Sequence, residues 1–229
     1  MHESSAEAFT RIALELHQQP DTNHTVQAVA EFALNAVGAD YAGVMLLHGR
    51  RRVDIAATTD PKVDQADQLQ LELDEGPCLS AIDAGENFVI ADTTTDQRWP
   101  RWCQQVSRLG ILSVLSIRLA TDISKVGSLN LYANATDRFS DPDDVTVGQI
   151  LAQHASIALD NARQIDSLHQ AIDGRTMIGQ AQGILMERYD LDANQAFAVL
   201  RRYSQSQNTK LAEVARTLTA TRELPESGN

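Results

Sequence analysis

Apolar residues recur at helical spacing near the start of the chain and form short runs in its middle. Segments 6–19 and 25–37 carry an apolar residue at every third or fourth position, which predicts two helices that end at Pro20 and Gly38. Five short apolar runs then predict strands at 41–48, 53–58, 87–92, 111–119 and 126–133. Helices are expected between these strands at 61–70, 78–84 and 99–109. This order predicts one sheet that is covered by helices on one side.

An uninterrupted helical pattern runs from Asp143 to about Tyr189. Its apolar stripe repeats every three or four residues, close to a heptad, at Val147, Ile150, His154, Ile157, Asn161, Ile165, Leu168 and Ile172. Such a stripe either packs on the sheet of its own chain or forms the seam of a dimer, with the polar Asn161 inside it. The sequence leaves both interpretations open.

The composition is that of an ordinary globular protein, with 43% hydrophobic and 22% charged residues. No apolar run approaches the roughly 18 residues that a membrane-spanning helix needs. The first residues lack the basic start and apolar run of a secretory signal, so a cytoplasmic location is expected. Cys78 and Cys103 are the only cysteines and no metal-ligand spacing occurs, so no metal or cofactor is expected. The two thiols are either buried side chains or a redox pair.

The net charge of −12 argues against a nucleic-acid partner, because phosphates attract Lys and Arg. The distribution of the charges changes this argument. Residues 1–173 carry 12 basic and 25 acidic side chains, whereas residues 174–222 carry seven basic and four acidic ones. The last part of the chain is therefore mildly basic, and it is the part in which contacts to phosphate are expected.

Two shorter helices are predicted after the long one, at 193–204 and 209–220, with Asp192 and Asn208 as their N-terminal caps. With the end of the long helix they can close one small core, formed by Ile178, Ala181, Ile184, Leu185, Ala196, Val199, Leu200, Tyr203, Leu211, Val214, Ala215 and Leu218. The basic residues that remain for the outer surface are Arg175, Arg188, Arg201, Arg202, Lys210 and Arg216. They are either ordinary solvated side chains or contacts for a nucleic acid.

The same three helices resemble an ANTAR domain over about residues 166–222. The resemblance rests on segments 175–188, 196–204 and 208–216, which contain Gln-Ala-Gln-Gly-Ile-Leu-Met, Ala-Phe-Ala-Val-Leu-Arg and Asn-Thr-Lys-Leu-Ala-Glu-Val-Ala in that order. Membership of this family implies a three-helix module that binds RNA. It also implies transcription antitermination, in which the protein stabilises tandem stem-loops in a nascent transcript and so prevents a terminator hairpin from forming.

The family pattern is matched at five positions that the resemblance makes candidate RNA contacts, namely Arg175, Ala181, Gly183, Arg201 and Lys210. Gln182, Arg188 and Arg202 complete the candidate set, because the helical pattern puts them on the same outer surface. Ala181 and Gly183 are expected to keep the surface of the long helix low, so that RNA can approach its backbone. Three positions depart from the family. Gln182 replaces a Lys and so removes a phosphate-neutralising charge, Asp190 replaces a Gly, and Ser204 replaces an Ala.

The preceding part of the chain resembles a GAF domain over about residues 22–160. The resemblance rests on two leading helices, a hairpin, the element Asp-Glu-Gly-Pro-Cys-Leu-Ser-Ala at 74–81 and the long exit helix. It implies an α+β fold, with an antiparallel sheet and flanking helices joined by the long helix to the small all-α module. GAF domains sense small molecules or serve as dimer scaffolds. The candidate lining of a ligand pocket is Cys78, Trp99, Trp102 and Cys103, unless these side chains simply pack in the core.

The favoured hypothesis is a homodimeric, signal-responsive RNA-binding regulator with no membrane partner. A DNA-binding transcription factor with a helix-turn-helix-like module is the alternative, although the Gln-Ala-Gln-Gly helix carries few of the polar and basic residues of a recognition helix. An enzyme is not expected, because no nucleotide-binding, metalloprotease, hydrolase or kinase motif occurs. The expected division of the chain is an N-terminal helix at 1–21, the GAF domain at 22–160, the ANTAR domain at 161–222 and a disordered tail at 223–229.

Overall fold

The computed structural model describes residues 5–49 and 52–224. The chain divides into two compact units, Met1–Gln164 and Ile165–Asn229. The predicted turn residues Arg50 and Arg51, and residues 225–229 of the predicted tail, lie outside the described residues.

The predicted secondary structure is confirmed in type and order throughout the described residues. The helices are α1 (Ser5–His17), α2 (Thr22–Val37), α3 (Pro61–Leu73), α4 (Pro77–Ala84), α5 (Pro100–Val106), α6 (Pro142–Tyr189), α7 (Ala193–Ser206) and α8 (Leu211–Thr221). The strands are β1 (Tyr41–His48), β2 (Arg52–Thr58), β3 (Phe88–Ile90), β4 (Ser113–Ala120) and β5 (Lys125–Ala133). A short 3-10 helix, Ser107–Leu109, follows α5. Four of the helices begin at a proline, whose fixed φ suits the first helical position.

The first unit is built on a five-stranded antiparallel sheet with the strand order β2-β1-β5-β4-β3. The central strand β5 pairs with β1 on one side and with β4 on the other. In this register Asn130 lies opposite both Gly43 and Ser116. Polar or small residues therefore meet at the middle of the sheet, a place that is usually apolar.

Helices cover both faces of this sheet, so the prediction of helices on one side is wrong. On one face, Leu115, Leu129 and Leu131 pack with residues of α2 and α6. On the other face, Val114 and Tyr132 pack with residues of α3 and α5. The strands are near-continuous apolar runs because successive side chains point to opposite faces and both faces are buried.

The second unit has its own core, formed where the end of α6 meets α7 and α8. Its buried members are Ala181, Leu185, Ala196, Leu200, Val214, Ala215 and Leu218. Asp192 caps α7 as predicted, in a capping box with Gln195. The predicted cap of α8 is wrong. Asn208 adopts a left-handed conformation with φ 50°, and the residue before α8 is Lys210, whose side chain makes no capping hydrogen bond.

Candidate functional sites

A group of polar side chains is buried between the sheet and helices α3 and α4. We call it the polar cluster, and it consists of Asp67, Gln70, Cys78, Ser116, Asn130 and Tyr132, all of which are almost completely inaccessible to solvent. The helical residues come from the buried face of α3 and the first turn of α4. The others come from the face of β4 and β5 that these helices cover.

Hydrogen bonds join the polar cluster across four elements, α3, α4, β4 and β5. The Tyr132 hydroxyl donates to Oδ1 of Asp67. Nε2 of Gln70 donates to the same oxygen at 3.3 Å and to Sγ of Cys78 at 2.6 Å. The Ser116 hydroxyl donates to Oδ1 of Asn130 at 3.1 Å and lies 3.4 Å from Sγ of Cys78. The helices and the sheet are therefore linked by polar contacts as well as by apolar packing.

Burial controls the ionisation of the polar cluster. Desolvation raises the pKa of Asp67 to about 7, although the hydrogen bond from Tyr132 acts in the opposite direction. Desolvation also raises the pKa of the Cys78 thiol and of the Tyr132 hydroxyl, and the nearby Asp67 carboxylate adds to both shifts. Both groups are therefore protonated at neutral pH, and Asp67 is the member of the cluster that titrates there.

Three buried polar atoms beside the cluster have no hydrogen-bond partner among the described residues. They are Oδ2 of Asp67, Oγ of Ser128 and Nδ2 of Asn130. Ser128, Asn130 and Tyr132 alternate along β5, so they share one face of the strand. Oδ2 of Asp67 lies over Gly43, where a Cβ atom would come within 2.8 Å of it. A carboxyl oxygen, a hydroxyl and an amide N–H are therefore buried without a pairing group in the described part of the chain.

The Glu75-Gly76-Pro77 element organises the helices around the polar cluster. Oε1 of Glu75 accepts hydrogen bonds from the backbone N–H groups of Arg101 at 2.7 Å and Trp102 at 3.0 Å, and so caps the start of α5. Gly76 leaves room for Gln70, because a side chain at this position would overlap the Gln70 amide. Oε1 of Gln70 in turn accepts a hydrogen bond from the Cys78 N–H at 2.9 Å. The role of this element is thus to position α4 and α5.

The four predicted pocket residues do not line one pocket. Trp99, Trp102 and Cys103 belong to the apolar cluster under α3 and α5, whereas Cys78 belongs to the polar cluster. The indole N–H of Trp102 donates to the Ala66 carbonyl at 2.9 Å, which explains why this side chain can be fully buried. Trp99 and Trp102 are therefore core residues, which corrects their predicted position in a ligand pocket. Burial raises the pKa of the Cys103 thiol to about 12.

The sequence did not reveal the polar cluster, because its key members come from an ordinary amphipathic helix and an apolar strand. The available indication was the pattern Ser-Leu-Asn-Leu-Tyr at 128–132, in which polar residues alternate with leucines inside a strand. Asp67 and Gln70 occupy the buried face of α3 together with Val63 and Ala66. The burial of these two side chains is evident only once α3 is placed on the sheet.

In the second unit, several candidate RNA contacts are exposed cations. Arg175, Arg201, Arg202 and Lys210 are all exposed, and none makes a salt bridge within the described part of the chain. Arg201 and Arg202 lie on α7, Lys210 lies just before α8, and Arg175 lies on α6. These positive charges are therefore available to the phosphates of a nucleic acid.

The other candidate contacts differ from this pattern. Ala181 is fully buried in the core of the helical unit, so its predicted surface role is wrong: it lies on the face of α6 that meets the other helices. Gly183 is exposed, with no atom within 4 Å of where a Cβ would lie. Nε2 of Gln182 donates to the Ala193 carbonyl at 3.0 Å. The Arg188 guanidinium donates a hydrogen bond to the carbonyl of Arg222, and Arg222 is the C-terminal cap residue of α8.

The fold defines a protein of two units, an α+β unit built on an antiparallel sheet and a small all-helical unit. The chain belongs to the GAF domain family, whose model matches residues 19–160. It also carries an ANTAR domain, whose model matches residues 166–218. It is therefore a GAF-containing ANTAR regulator, as the resemblances in the sequence predict. No curated protein sequence matches the chain significantly.

Solved structures with a similar fold include three bacterial proteins. The GAF domain of an Acinetobacter phosphoenolpyruvate-protein phosphotransferase is 14% identical with a TM-score of 0.56, and covers 72% of this chain and 98% of its own. A free methionine-R-sulfoxide reductase from Neisseria meningitidis, solved with its substrate, is 18% identical with a TM-score of 0.55 and the same coverage. A bacteriophytochrome from R. palustris is 12% identical with a TM-score of 0.58, and covers 87% of this chain and 47% of its own. At these identities the likeness concerns the fold alone.

None of the helices in the described ranges is both long enough and apolar enough to cross a membrane. No group of three or more His, Cys, Asp or Glu side chains with the arrangement of a metal site occurs between residues 5 and 49 or 52 and 224.

Proposed function

We propose that this protein is a signal-responsive RNA-binding regulator that acts by transcription antitermination. The observation that carries the proposal is the set of exposed, unpaired cations on an ANTAR domain, above all Arg201 and Arg202 on α7 and Lys210 before α8. Cations that already pair with protein carboxylates gain little from a phosphate. Cations without a protein partner are free to make charge-assisted hydrogen bonds to it.

The RNA target is a pair of stem-loops in a nascent transcript. Side chains on α7 and α8 bind phosphates and fix the register, and unpaired loop bases supply the sequence-specific contacts. Binding stabilises the stem-loops and excludes the competing terminator hairpin. Arg175 and the open surface at Gly183 extend this interface along α6. Gln182 and Arg188 contribute to the RNA site while also making contacts within the domain.

The GAF domain receives the signal at the polar cluster. A small polar molecule that pairs with Oδ2 of Asp67 and Nδ2 of Asn130 would satisfy two buried atoms that have no partner among the described residues. Leaving such atoms unpaired destabilises a protein by about 1–3 kcal/mol each, so ligand binding favours one conformational state over another. Helix α6 is the covalent connection between the two units, since it contributes residues to both.

The protein acts as a homodimer in the cytoplasm and has no catalytic role. Its dimer contacts come from exposed apolar residues of α6. In the GAF unit these are Ile150 and Ile157, which are 37% and 48% exposed and lie seven residues apart. In the ANTAR unit, Ile165, Leu168 and Ile172 are 49–63% exposed at spacings of three and four. Apolar side chains at such spacing on a helix favour pairing with a second helix.

The test is a binding measurement with a tandem stem-loop RNA and a duplex DNA of matched length, across a range of salt concentrations. We expect a preference for RNA and a shallow salt dependence. With about four phosphates neutralised, the logarithm of the binding constant should fall with a slope of roughly −3 against the logarithm of salt concentration. Equal binding to RNA and DNA contradicts the proposal and favours a general nucleic-acid binder.

A second arm of the experiment tests antitermination directly. A transcription template carries the tandem stem-loops upstream of an intrinsic terminator, and the fraction of full-length transcript is measured with and without the protein. We expect the full-length fraction to rise with wild-type protein and to rise much less with Arg201→Ala. RNA binding without any change in readthrough would contradict antitermination and leave RNA binding intact.

A further inference from the structure

The solvent-facing side of α7 carries one aromatic ring, that of Phe197, among polar and positively charged side chains. Asn194, Phe197, Arg201 and Gln205 follow at spacings of three, four and four, and all four are exposed. Residues at these spacings lie on one side of a helix. The opposite side of α7 carries the buried Ala196 and Leu200. We call the exposed set the α7 face.

Phe197 has a large apolar ring that the domain leaves open to solvent. It is 38% exposed, and its ring makes no aromatic or cation–π contact within the described part of the chain. Arg201 lies one helical turn further on, exposed and without an ion pair among the described residues. Within the described residues, the Phe197 ring therefore has no aromatic or cationic partner and the Arg201 guanidinium has no ion pair. The two residues lie one helical turn apart on the same side of α7.

We propose that the α7 face reads the RNA loop, with Phe197 stacking on an unpaired base and Arg201 binding the adjacent phosphate. This inference rests on the proposed RNA-binding function and names the residue that engages a base. Unpaired RNA bases are commonly bound by stacking on aromatic side chains. The amides of Asn194 and Gln205 flank the pair and can bond the edge of the stacked base or a ribose hydroxyl.

The composition of the α7 face favours RNA over a second copy of this chain. A stable protein interface has an apolar core, from which charged residues are depleted. The α7 face has a single large apolar side chain, and Arg201 and Arg202 beside it bring two positive charges. These charges repel the same face of a second copy, whereas they attract phosphates.

The test uses the full-length protein and a tandem stem-loop RNA that carries 2-aminopurine at one loop position at a time. Fluorescence reports stacking of the base, and a titration gives the dissociation constant. Phe197→Leu removes the aromatic face but keeps an apolar side chain with good helix propensity. We expect it to weaken binding about tenfold and to abolish the fluorescence change at one loop position. Phe197→Trp should preserve both.

The salt dependence separates the two roles. Phe197→Leu should leave the slope of binding against salt unchanged, because no charge is removed. Arg201→Ala should reduce the magnitude of that slope by about one, because one phosphate contact is lost. Ile123→Ala is the matched control for loss of an exposed apolar side chain, since Ile123 is 88% exposed and lies in the other unit. It should bind RNA as the wild type does.

Two results would overturn the inference while leaving the proposed function standing. One is wild-type affinity and an unchanged fluorescence profile for Phe197→Leu. The other is a change in oligomeric state on sedimentation of Phe197→Leu, which would make the α7 face a contact between copies of the chain. Failure of the wild-type protein to bind any of the RNAs would overturn the proposed function together with this inference.

Discussion

The hydroxyl of Tyr132 on the central strand donates a hydrogen bond to Oδ1 of Asp67 on α3, and both side chains are fully buried. This contact ties the helix to the middle of the sheet. Burial favours the neutral form of the Asp67 carboxyl and raises its pKa to about 7. The nearby ionisable groups are the exposed Asp64 on α3, whose charge raises this pKa further, and the Cys78 thiol on α4.

The raised pKa of Asp67 makes stability depend on pH. In the unfolded chain this carboxyl has a pKa near its ordinary value of about 3.9, so the folded state holds the proton more tightly. The stabilising contribution is fully present below about pH 4 and is lost as the pH rises through 7. Each unit by which the folded and unfolded pKa values differ corresponds to about 1.4 kcal/mol. The free energy of unfolding therefore declines by a few kcal/mol as the pH rises. Asp67→Asn should remove this decline, as measured by urea unfolding between pH 4.5 and 8.

The control for this measurement is Asp122→Asn, which changes an exposed carboxyl in the same unit. Its stability should follow the pH profile of the wild type. A profile for Asp67→Asn that runs parallel to the wild type at every pH would show that Asp67 is ionised in the folded state throughout this range.

Any side chain at Gly76 is expected to destabilise the protein, because of the backbone conformation there and the closeness of Gln70. Its φ of 157° is a conformation that side chains rarely adopt, and a Cβ there would overlap the Gln70 amide that caps α4. Gly76→Ala should lower the free energy of unfolding by about 2 kcal/mol or more. Gly110→Ala is the control, because Gly110 also has a positive φ, 82°, but no atom within 4 Å of a Cβ. Equal losses for the two variants would mean that the contact with Gln70 adds nothing.

The sequence predicts most of the fold because its local patterns agree with the tertiary structure. Asp192 caps α7 as expected, and the apolar faces of α7 and α8 form the expected core. The polar cluster was not predictable, because a polar residue in an amphipathic helix is normally assigned to the exposed side. Asp67 is an exception that only its partner on a distant strand, Tyr132, makes possible.

The candidate RNA site shows the same division between local and tertiary information. A family pattern identifies which positions matter but does not separate core residues from surface residues. Ala181 matches the pattern and is buried, whereas Lys210 matches it and is exposed. The distinction depends on how the three helices are rotated against one another, which the sequence pattern alone does not specify.

Arg188 should contribute to stability as well as to RNA binding, whereas Lys210 should contribute to RNA binding alone. Arg188 donates to the carbonyl of Arg222 at the end of α8, so Arg188→Ala should lower the unfolding free energy by about 1 kcal/mol. Lys210 makes no capping hydrogen bond, so Lys210→Ala should leave the thermal unfolding curve unchanged while it weakens RNA binding and flattens the salt dependence. Circular dichroism and RNA titrations on both variants decide this. If Lys210→Ala destabilises the protein as much as Arg188→Ala does, Lys210 is structural.

Gln182 is the position at which this chain departs from the lysine of its family, and restoring the charge should strengthen RNA binding. The Gln182 amide donates to the Ala193 carbonyl at 3.0 Å, and a lysine ammonium can donate to the same oxygen, so the contact between α6 and α7 is retained. Gln182→Lys should tighten RNA binding several-fold at low salt and steepen its salt dependence by about one. Gln149→Lys, which adds the same charge at an exposed position of α6 within the other unit, is the matched control. Equal gains for the two variants would indicate a general charge effect, and no gain for Gln182→Lys would show that this position does not face the RNA.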